Sequence, residues 1–273
     1  MLDINFLNFM PWYLIAFIAI CLTSFFALGI FLLFRKLINP RVLRKNQEIA
    51  SYALNTIALL YCVIVGFVVI RVQERNSTVR DNTVKEANVL LNLYYASCDV
   101  FSYDVSLKIR EAIRIYAKDV TEKEWPRMVN NEDLTLLYPR SVHNLWITYD
   151  KIDPHGRGQA ARYHESLSRL NDLSRARFTR LSNVGRGEGA FMWTVLIYGG
   201  ILVIVSSYLF VSTSVLEHML HLFFISSFIV LVLLLIYSLD TPFAGPTAIS
   251  PKPFEHVLEL IDEKHRCVDS LGT

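Results

Sequence analysis

The chain has 273 residues, 53% of them hydrophobic, and a formal net charge of +2. The hydrophobic share lies slightly above the roughly 45–50% of soluble domains, and the near balance of charge excludes a polyanionic partner such as nucleic acid. The apolar residues are concentrated in blocks with Lys and Arg beside them, which is typical of membrane spans and their flanks.

Four of these blocks are long enough to cross a bilayer as a helix, which takes about 20 residues. The first opens on Pro11-Trp12-Tyr13 and closes on Arg35-Lys36, flanks of the kind found at membrane interfaces. Its leading segment contains Asp3 and lacks Lys and Arg, which argues against a cleaved signal peptide. The predicted transmembrane helices are residues 10–34, 53–70, 189–211 and 216–239.

The last two spans are joined by only a few residues, so we expect a tight antiparallel pair. Gly199-Gly200 lies in the middle of the third span. Small residues at such a position let another helix backbone approach closely. We therefore interpret the pair of glycines as a helix-packing site.

Residues 71–188, between the second and third spans, are more polar and have apolar positions at helical spacing. These positions are Val79, Leu90, Leu91, Tyr94, Leu107, Ala112, Ile115, Tyr116, Leu167, Leu170, Leu173, Phe178 and Leu181. They predict three or four amphipathic helices, the first and last running on from the adjacent spans. Residues 240–273 predict a Pro-rich turn and a short helix near residues 255–266. The predicted fold is all-α, with four transmembrane helices and a helical extramembrane domain inserted between the second and third spans.

Four spans place both termini and residues 71–188 on one side of the membrane. The opposite side holds a short loop with five basic residues, Arg35, Lys36, Arg41, Arg44 and Lys45. By the positive-inside rule this loop favours the cytoplasm. Basic residues also flank the long insertion, although charges in loops longer than about 60 residues carry less weight. The charges alone therefore leave the orientation open.

No motif of a known enzyme class is present, so we expect a protein without catalytic residues, cofactor or bound metal. His218 and His221, at i and i+3, have a spacing that can ligate a metal. No cysteine lies close to them in sequence, and we interpret them as interfacial histidines at the mouth of the fourth span. Cys21 and Cys62 lie in apolar spans and are expected to act as small hydrophobes.

The second span carries a stripe of residues spaced four apart, Asn55, Leu59, Val63 and Phe67, followed by Arg71. A stripe with bulky apolar groups in its middle can line a hydrophobic constriction, because apolar rings gate pores by dewetting. Lipid contact or helix packing would produce the same pattern. The sequence leaves these alternatives open.

Two further segments suggest structural roles. Glu124-Trp125-Pro126 predicts the end of a helix with an aromatic anchor. Asp240 is the first charge after a long apolar span, and Pro242, Phe243, Gly245 and Pro246 behind it predict a rigid turn at the membrane surface.

These segments together carry a family resemblance. Val65-Gly66-Phe67-Val68-Val69-Ile70-Arg71 resembles the second-helix motif of bestrophins, in which a Gly-Phe pair precedes an Arg. Glu124-Trp125-Pro126, the tail from Leu239 to Gly245 and Ser250-Pro251-Lys252-Pro253-Phe254 resemble the bestrophin-like family of bacterial and plant membrane proteins. The layout of the spans agrees over most of the chain.

Bestrophins are pentameric anion channels with a helical cytosolic region and an apolar neck on the second helix. The resemblance therefore implies a homo-oligomer in the lipid bilayer, by analogy a pentamer in a bacterial inner membrane, with residues 71–188 in the cytoplasm. It implies a neck of Leu59, Val63 and Phe67 that passes inorganic anions. The chain has Leu60 where bestrophins have a proline, and it lacks their paired Trp and an acidic calcium clasp. The competing hypothesis is a membrane-anchored sensor or scaffold whose helical domain binds a ligand or a protein.

Overall fold

The computed structural model describes residues 12–37, 47–100, 103–132, 134, 140–154, 156–185, 187–209 and 214–271. Every regular element in these ranges is helical, which confirms the all-α fold. The elements are α1 (Trp12–Leu37), α2 (Gln47–Val100), α3 (Tyr103–Lys118), a π-helical turn (Asp119–Glu124), α4 (Trp125–Val129), α5 (Arg140–Asp150), α6 (Arg157–Ser182), α7 (Ala190–Tyr208), α8 (Val215–Asp240) and α9 (Lys252–Leu271).

The chain divides into two compact units. The first comprises Met1–Arg75 and Gly187–Asp240, and the second comprises Asn76–Arg186 and Thr241–Thr273. Residues after Asp240, which the sequence suggested as a separate turn and helix, therefore belong to the unit formed by the insertion.

The first unit contains the membrane helices. Four helices, α1, α2, α7 and α8, are long and apolar enough to cross a membrane, and in such helices all backbone hydrogen bonds are satisfied internally. As predicted, α2 continues without a break beyond the second span, for 54 residues in all. The predicted span ends Met10 and Val211 and the loop residues Arg41, Arg44 and Lys45 lie outside the described residues.

Small polar side chains join α1 to its neighbours in this unit. The hydroxyls of Ser24 and Ser226 lie 3.0 Å apart, and the hydroxyl of Tyr208 donates to the carbonyl of Ala27 at 3.0 Å. Ser24 and Ala27 are both buried, so their small side chains allow close approach of the helices. We infer that α1 is anchored by packing and hydrogen bonds together.

The glycine pair on α7 receives a side chain where the sequence predicted a helix backbone. A Cβ atom on Gly199 would lie 2.6 Å from Cδ2 of Tyr61, and one on Gly200 would lie 3.2 Å from its hydroxyl oxygen. The glycines thus make room for an aromatic ring of α2. The glycines do form a packing site, as predicted. The predicted partner, a helix backbone, was wrong, because the side chain of Tyr61 occupies the space beside them.

The second unit is built around one hydrophobic core. Its members recur at helical spacing on α2, α3 and α6; the largest fully buried apolar groups include Leu90, Leu93, Tyr94, Ile109, Ile113 and Tyr116. Two predicted core residues are instead exposed, Ile115 at 39% and Phe178 at 62%. Phe178 is excluded because Arg177 and Arg180 occupy the inward face of α6 beside it.

The junction between the second unit and the third span differs from the prediction of one continuous helix. α6 ends at Ser182 and α7 begins only at Ala190. Gly185 in this segment has φ of +65°, a backbone conformation that glycine adopts without steric cost. Glycines at 185, 187 and 189 therefore lie in the non-helical segment that separates α6 from α7.

The C-terminal segment is more ordered than a turn with a short helix. α9 spans Lys252–Leu271, longer than the predicted residues 255–266. Before it, the backbone N–H of Ile249 donates to the carbonyl of Pro242 at 2.8 Å, and Gly245 has φ of +87°. The rigid turn expected from the prolines is thus a closed loop within the second unit.

Candidate functional site

The central residues of the predicted stripe lie on an open face of α2. Leu59, Val63 and Phe67 are 66%, 50% and 70% exposed. The opposite face of the same helix is packed, because Val68 and Val72 are buried against α7 and α8. With about 3.6 residues per turn, a spacing of four keeps the three side chains on one side. The structure therefore groups them on a surface without a partner among the described residues of the chain.

This open face is broader than the predicted stripe. Leu60, Ile64 and Ile70 are also exposed large apolar residues of α2. Beside Phe67, Gly66 faces open space, since nothing lies within 4 Å of a Cβ atom placed on it. These three apolar neighbours were not predicted from the sequence. Spacing by four selects a single row of residues, whereas the exposed face of the helix is several residues wide.

The two polar ends of the stripe lie in different surroundings. Asn55 lines a cavity shared with α8, together with His221 and Cys62. Arg71, at the other end, forms an ion pair with Glu188, with 3.2 Å between Nε and Oε1. The side chain of Glu188 is only 6% exposed, whereas that of Arg71 is 67% exposed. The stripe therefore ends in a cation whose charge is offset by a nearly buried carboxylate.

Asp240 ties the same end of α2 to the start of α7. Its Oδ1 accepts hydrogen bonds from Arg75 at 3.1 Å and from the backbone N–H of Glu188 at 2.7 Å. Its Oδ2 accepts one from Nε1 of Trp193 at 3.3 Å, and a Cβ on Gly187 would lie 2.6 Å from that oxygen. Asp240 is thus more than a residue that leaves the membrane. It positions α2 and α7 relative to the end of α8.

Glu124 lies in the core of the second unit and not at a helix end. The helix continues through a π-helical turn, Asp119–Glu124, in which the N–H of Trp125 donates to the carbonyl of Val120. Pro126 follows, and its missing N–H and its ring disfavour an ordinary α-helical turn here. The predicted end of the helix was wrong, because the π-helical turn before Pro126 accommodates the proline and the chain stays helical.

The π-helical turn directs Glu124 towards two arginines of α6. Its Oε1 accepts from Arg177 at 2.7 Å, and its Oε2 accepts from Arg180 at 2.7 Å. Arg180 is also bidentate to Glu86, with distances of 2.8 and 2.9 Å. The hydroxyl of Tyr116 donates to Glu86 at 2.7 Å. Two cations and two anions therefore form one buried network, named here the four-charge network (Glu86, Glu124, Arg177 and Arg180).

Aromatic rings enclose this network. The guanidinium carbon of Arg180 lies 5.9 Å from the ring centroid of Trp125 and 5.6 Å from that of Phe254. Phe243 packs edge-on against Trp125 at 5.6 Å. Three of the motif residues that carry the family resemblance, Trp125, Phe243 and Phe254, thus meet at one place in the second unit.

Burial and the neighbouring carboxylates shift the pKa of two groups here, Arg180 and the adjacent Tyr116. Burial alone would lower the pKa of Arg180, but Glu86 and Glu124 raise it above its ordinary value, so the guanidinium stays charged. Burial raises the pKa of the Tyr116 hydroxyl well above its ordinary value, and Glu86 adds to the rise. Tyr116 therefore keeps its proton and remains the donor to Glu86.

The two histidines of α8 do not share a site. His218 is buried and stacks on Phe31, with 4.3 Å between ring centroids, whereas His221 lines the cavity beside Asn55. Among the described residues, no group of three or more His, Cys, Asp or Glu side chains could hold a metal ion. The stacking gives His218 a packing role that the sequence did not indicate.

Comparisons with known proteins agree with this architecture. The family model of the Bestrophin-like domain matches residues 21–254. The crystal structure of a bacterial bestrophin homologue from Klebsiella pneumoniae is similar with a TM-score of 0.65 at 12% identity, over 91% of this chain and 96% of that chain. Another crystal structure, of a membrane protein, has a TM-score of 0.60 at 10% identity, with coverage of 91% and 96%.

No curated protein sequence matches the chain. The two structural similarities show a shared fold, and the family match spans most of the residues. The chain is an integral membrane protein that belongs to the Bestrophin-like family.

Proposed function

We propose that the protein is an oligomeric ion channel that passes inorganic anions down their gradient. The observation that carries the proposal is the open apolar face of α2, on which Leu59, Val63 and Phe67 project away from the packed side of the helix. Around an axis shared by identical subunits, these side chains would form an apolar neck that gates by dewetting. Such a channel needs no cofactor and performs no catalysis.

Oligomerisation is part of the proposal. In the part of the first unit that the structure describes there are four apolar helices, which are too few to enclose an aqueous path by themselves. Closed cyclic symmetry is the usual solution for identical subunits, and the bestrophin resemblance implies five copies. We expect the detergent-purified protein to have the mass of a cyclic oligomer by light scattering or native mass spectrometry. A monomer in both measurements would remove the channel proposal.

The alternative function is a membrane-anchored sensor or scaffold. A groove of about 460 Å³ between α3 and α5 favours it, with Lys108 and Lys151 on its walls. This function does not require an oligomer or a conducting path. Ion flux measured in proteoliposomes therefore separates the two proposals.

The ion pair of Arg71 with Glu188 gives a test of selectivity. In Glu188→Gln the charge of Arg71 is no longer offset, so we expect a higher ratio of chloride to sodium permeability. Two unit charges 4 Å apart interact by about 1 kcal/mol in water, which corresponds to a change of roughly five-fold. The measurement is the reversal potential in a salt gradient across a planar bilayer.

Two variants complete the selectivity experiment. Arg71→Gln should shift the reversal potential in the opposite direction. Glu48→Gln, an exposed acidic residue in the first turn of α2, should leave it unchanged. A shift of equal size in Glu48→Gln would show that net charge, and not the pair at Arg71, sets the preference.

The orientation in the membrane gives a further prediction. By analogy with bestrophins we expect the second unit to lie in the cytoplasm of a bacterial cell, although the basic loop after α1 argues for the reverse. In a cysteine-free background, Asn144→Cys, at an exposed position of α5, should resist a membrane-impermeant thiol reagent in intact cells. It should react after the cells are permeabilised. Labelling in intact cells would reverse the proposed topology.

A further inference from the structure

The first unit contains a cavity that plays no part in the proposed neck. It has a volume of about 530 Å³ and lies between α2, α7 and α8. Volumes of about 300–1,000 Å³ are those of ordinary ligand sites. Leu59, Val63 and Phe67, which form the proposed neck, do not line it, whereas Asn55 at the polar end of the stripe does.

The cavity is elongated along the membrane helices. On α2 its lining runs from Leu54 to Val65, and on α8 it runs from His221 to Val232. At 1.5 Å per residue each wall is about 16 Å long, roughly half the hydrocarbon thickness of a bilayer. A slot with these dimensions runs in the direction of lipid acyl chains.

Asn55 and His221 lie towards one end of the cavity, and Tyr61 and Cys62 lie between them and the apolar end. Asn55 is in the third turn of α2, and His221 is in the second turn of α8. The two helices run in the same direction, because Val68 and Val72 of α2 pack with Ile236 and Leu239 of α8 further along both helices. Deeper along the same helices the lining is apolar and includes Val65, Ile229 and Val232.

The polar side chains at this end are accessible, because Asn55 and His221 are both exposed. Phe224 and Phe228, which also line the cavity, are 65% and 68% exposed, so the slot is open to the outer surface of the subunit. An occupant from the bilayer could therefore enter sideways.

We propose that this cavity binds one acyl chain of a membrane phospholipid, whose head group is held by Asn55 and His221. The apolar walls bury the chain, and the amide and imidazole donate to phosphate or ester oxygens at the interface. The site depends only on the membrane spans. It is therefore independent of whether the protein conducts ions.

The test uses the full-length protein in vesicles of phosphatidylglycerol and phosphatidylethanolamine that contain a phospholipid with a photoactivatable acyl chain. After illumination, labelled peptides are mapped by mass spectrometry. We expect labelling concentrated on residues 54–65 and 221–232. Even labelling of all lipid-facing residues, with Phe25 and Phe26 of α1 labelled as strongly as the cavity, would overturn the proposal.

Variants distinguish the occupants. Ala58→Trp fills the slot and should abolish the concentrated labelling, whereas Ala53→Trp, outside the cavity on the same helix, should not change it. Asn55→Leu leaves the space open and should weaken labelling about five-fold, the effect of one lost hydrogen bond. Unchanged labelling in both Ala58→Trp and Asn55→Leu contradicts the site. Absent lipid labelling, with an oligomer that dissociates in Ala58→Trp, would assign the cavity to a second copy of the chain.

Discussion

Replacing Phe67 with alanine is expected to raise chloride flux into liposomes that contain the protein, without a loss of subunit stability. The Phe67 ring is 70% exposed in the subunit, so its removal creates no cavity in the subunit core. A packed phenylalanine would cost about 3–5 kcal/mol on the same truncation. In a neck, a smaller side chain widens the constriction and lowers the dewetting barrier.

Phe25→Ala is the matched control for this experiment. Phe25 lies on α1 and is 76% exposed, so it resembles Phe67 in type and exposure but lies outside the proposed neck. Flux and thermal stability are measured on wild type and both variants in the same lipid. Equal flux in all three, or a rise in Phe25→Ala alone, would contradict the assignment of the neck. A loss of oligomer in Phe67→Ala would indicate a packed subunit interface.

The membrane architecture could be predicted from the sequence because a membrane-spanning helix is recognised by the length of its apolar run alone. Apolar runs of sufficient length form helices whatever their partners are, and α1, α7 and α8 follow from composition alone. Helical phase also predicts that the residues of the stripe on α2 share one side of the helix. Whether this side faces a pore or lipid depends on other copies of the chain, which a single sequence does not describe.

The local backbone features could be recognised only in part. Glycines at 185, 187 and 189 signal the break between α6 and α7, yet the apolar pattern on both sides favoured continuity. The π-helical turn before Pro126 has no comparable signal, because a proline more often ends a helix than widens it. In both cases the expected effect of a single glycine or proline disagreed with the effect expected from the periodic pattern around it.

The four-charge network is the feature that sequence reasoning missed most completely. The signal for it in the sequence is a charged residue at a position where the helical repeat predicts a core residue. Arg177 and Arg180 share the helix face of Leu170 and Leu173. Glu86 shares that of Leu90 and Leu93. Such phasing indicates that a charged residue is buried. It does not name the partner, because Glu86 and Arg180 are 94 positions apart and meet only after folding.

Replacing Arg180 with methionine is expected to produce the largest loss of stability of any single change discussed. The substitution keeps the approximate length of the side chain but leaves Glu86 and Glu124 with only Arg177 as a cation. Removing one partner of a buried ion pair costs about 3–5 kcal/mol, because the remaining charge is left without compensation. Differential scanning fluorimetry gives the Tm.

Two comparisons separate charge balance from packing. Arg169→Met changes an exposed pair with Glu165 on the same helix and should leave the Tm unchanged. The double variant Arg180→Met/Glu86→Gln restores neutrality, so it should recover part of the Tm lost in Arg180→Met. A double variant less stable than the single one would show that hydrogen bonds and packing, and not charge balance, hold this part of the core together. An unchanged Tm in Arg180→Met would show that the second unit does not depend on the four-charge network.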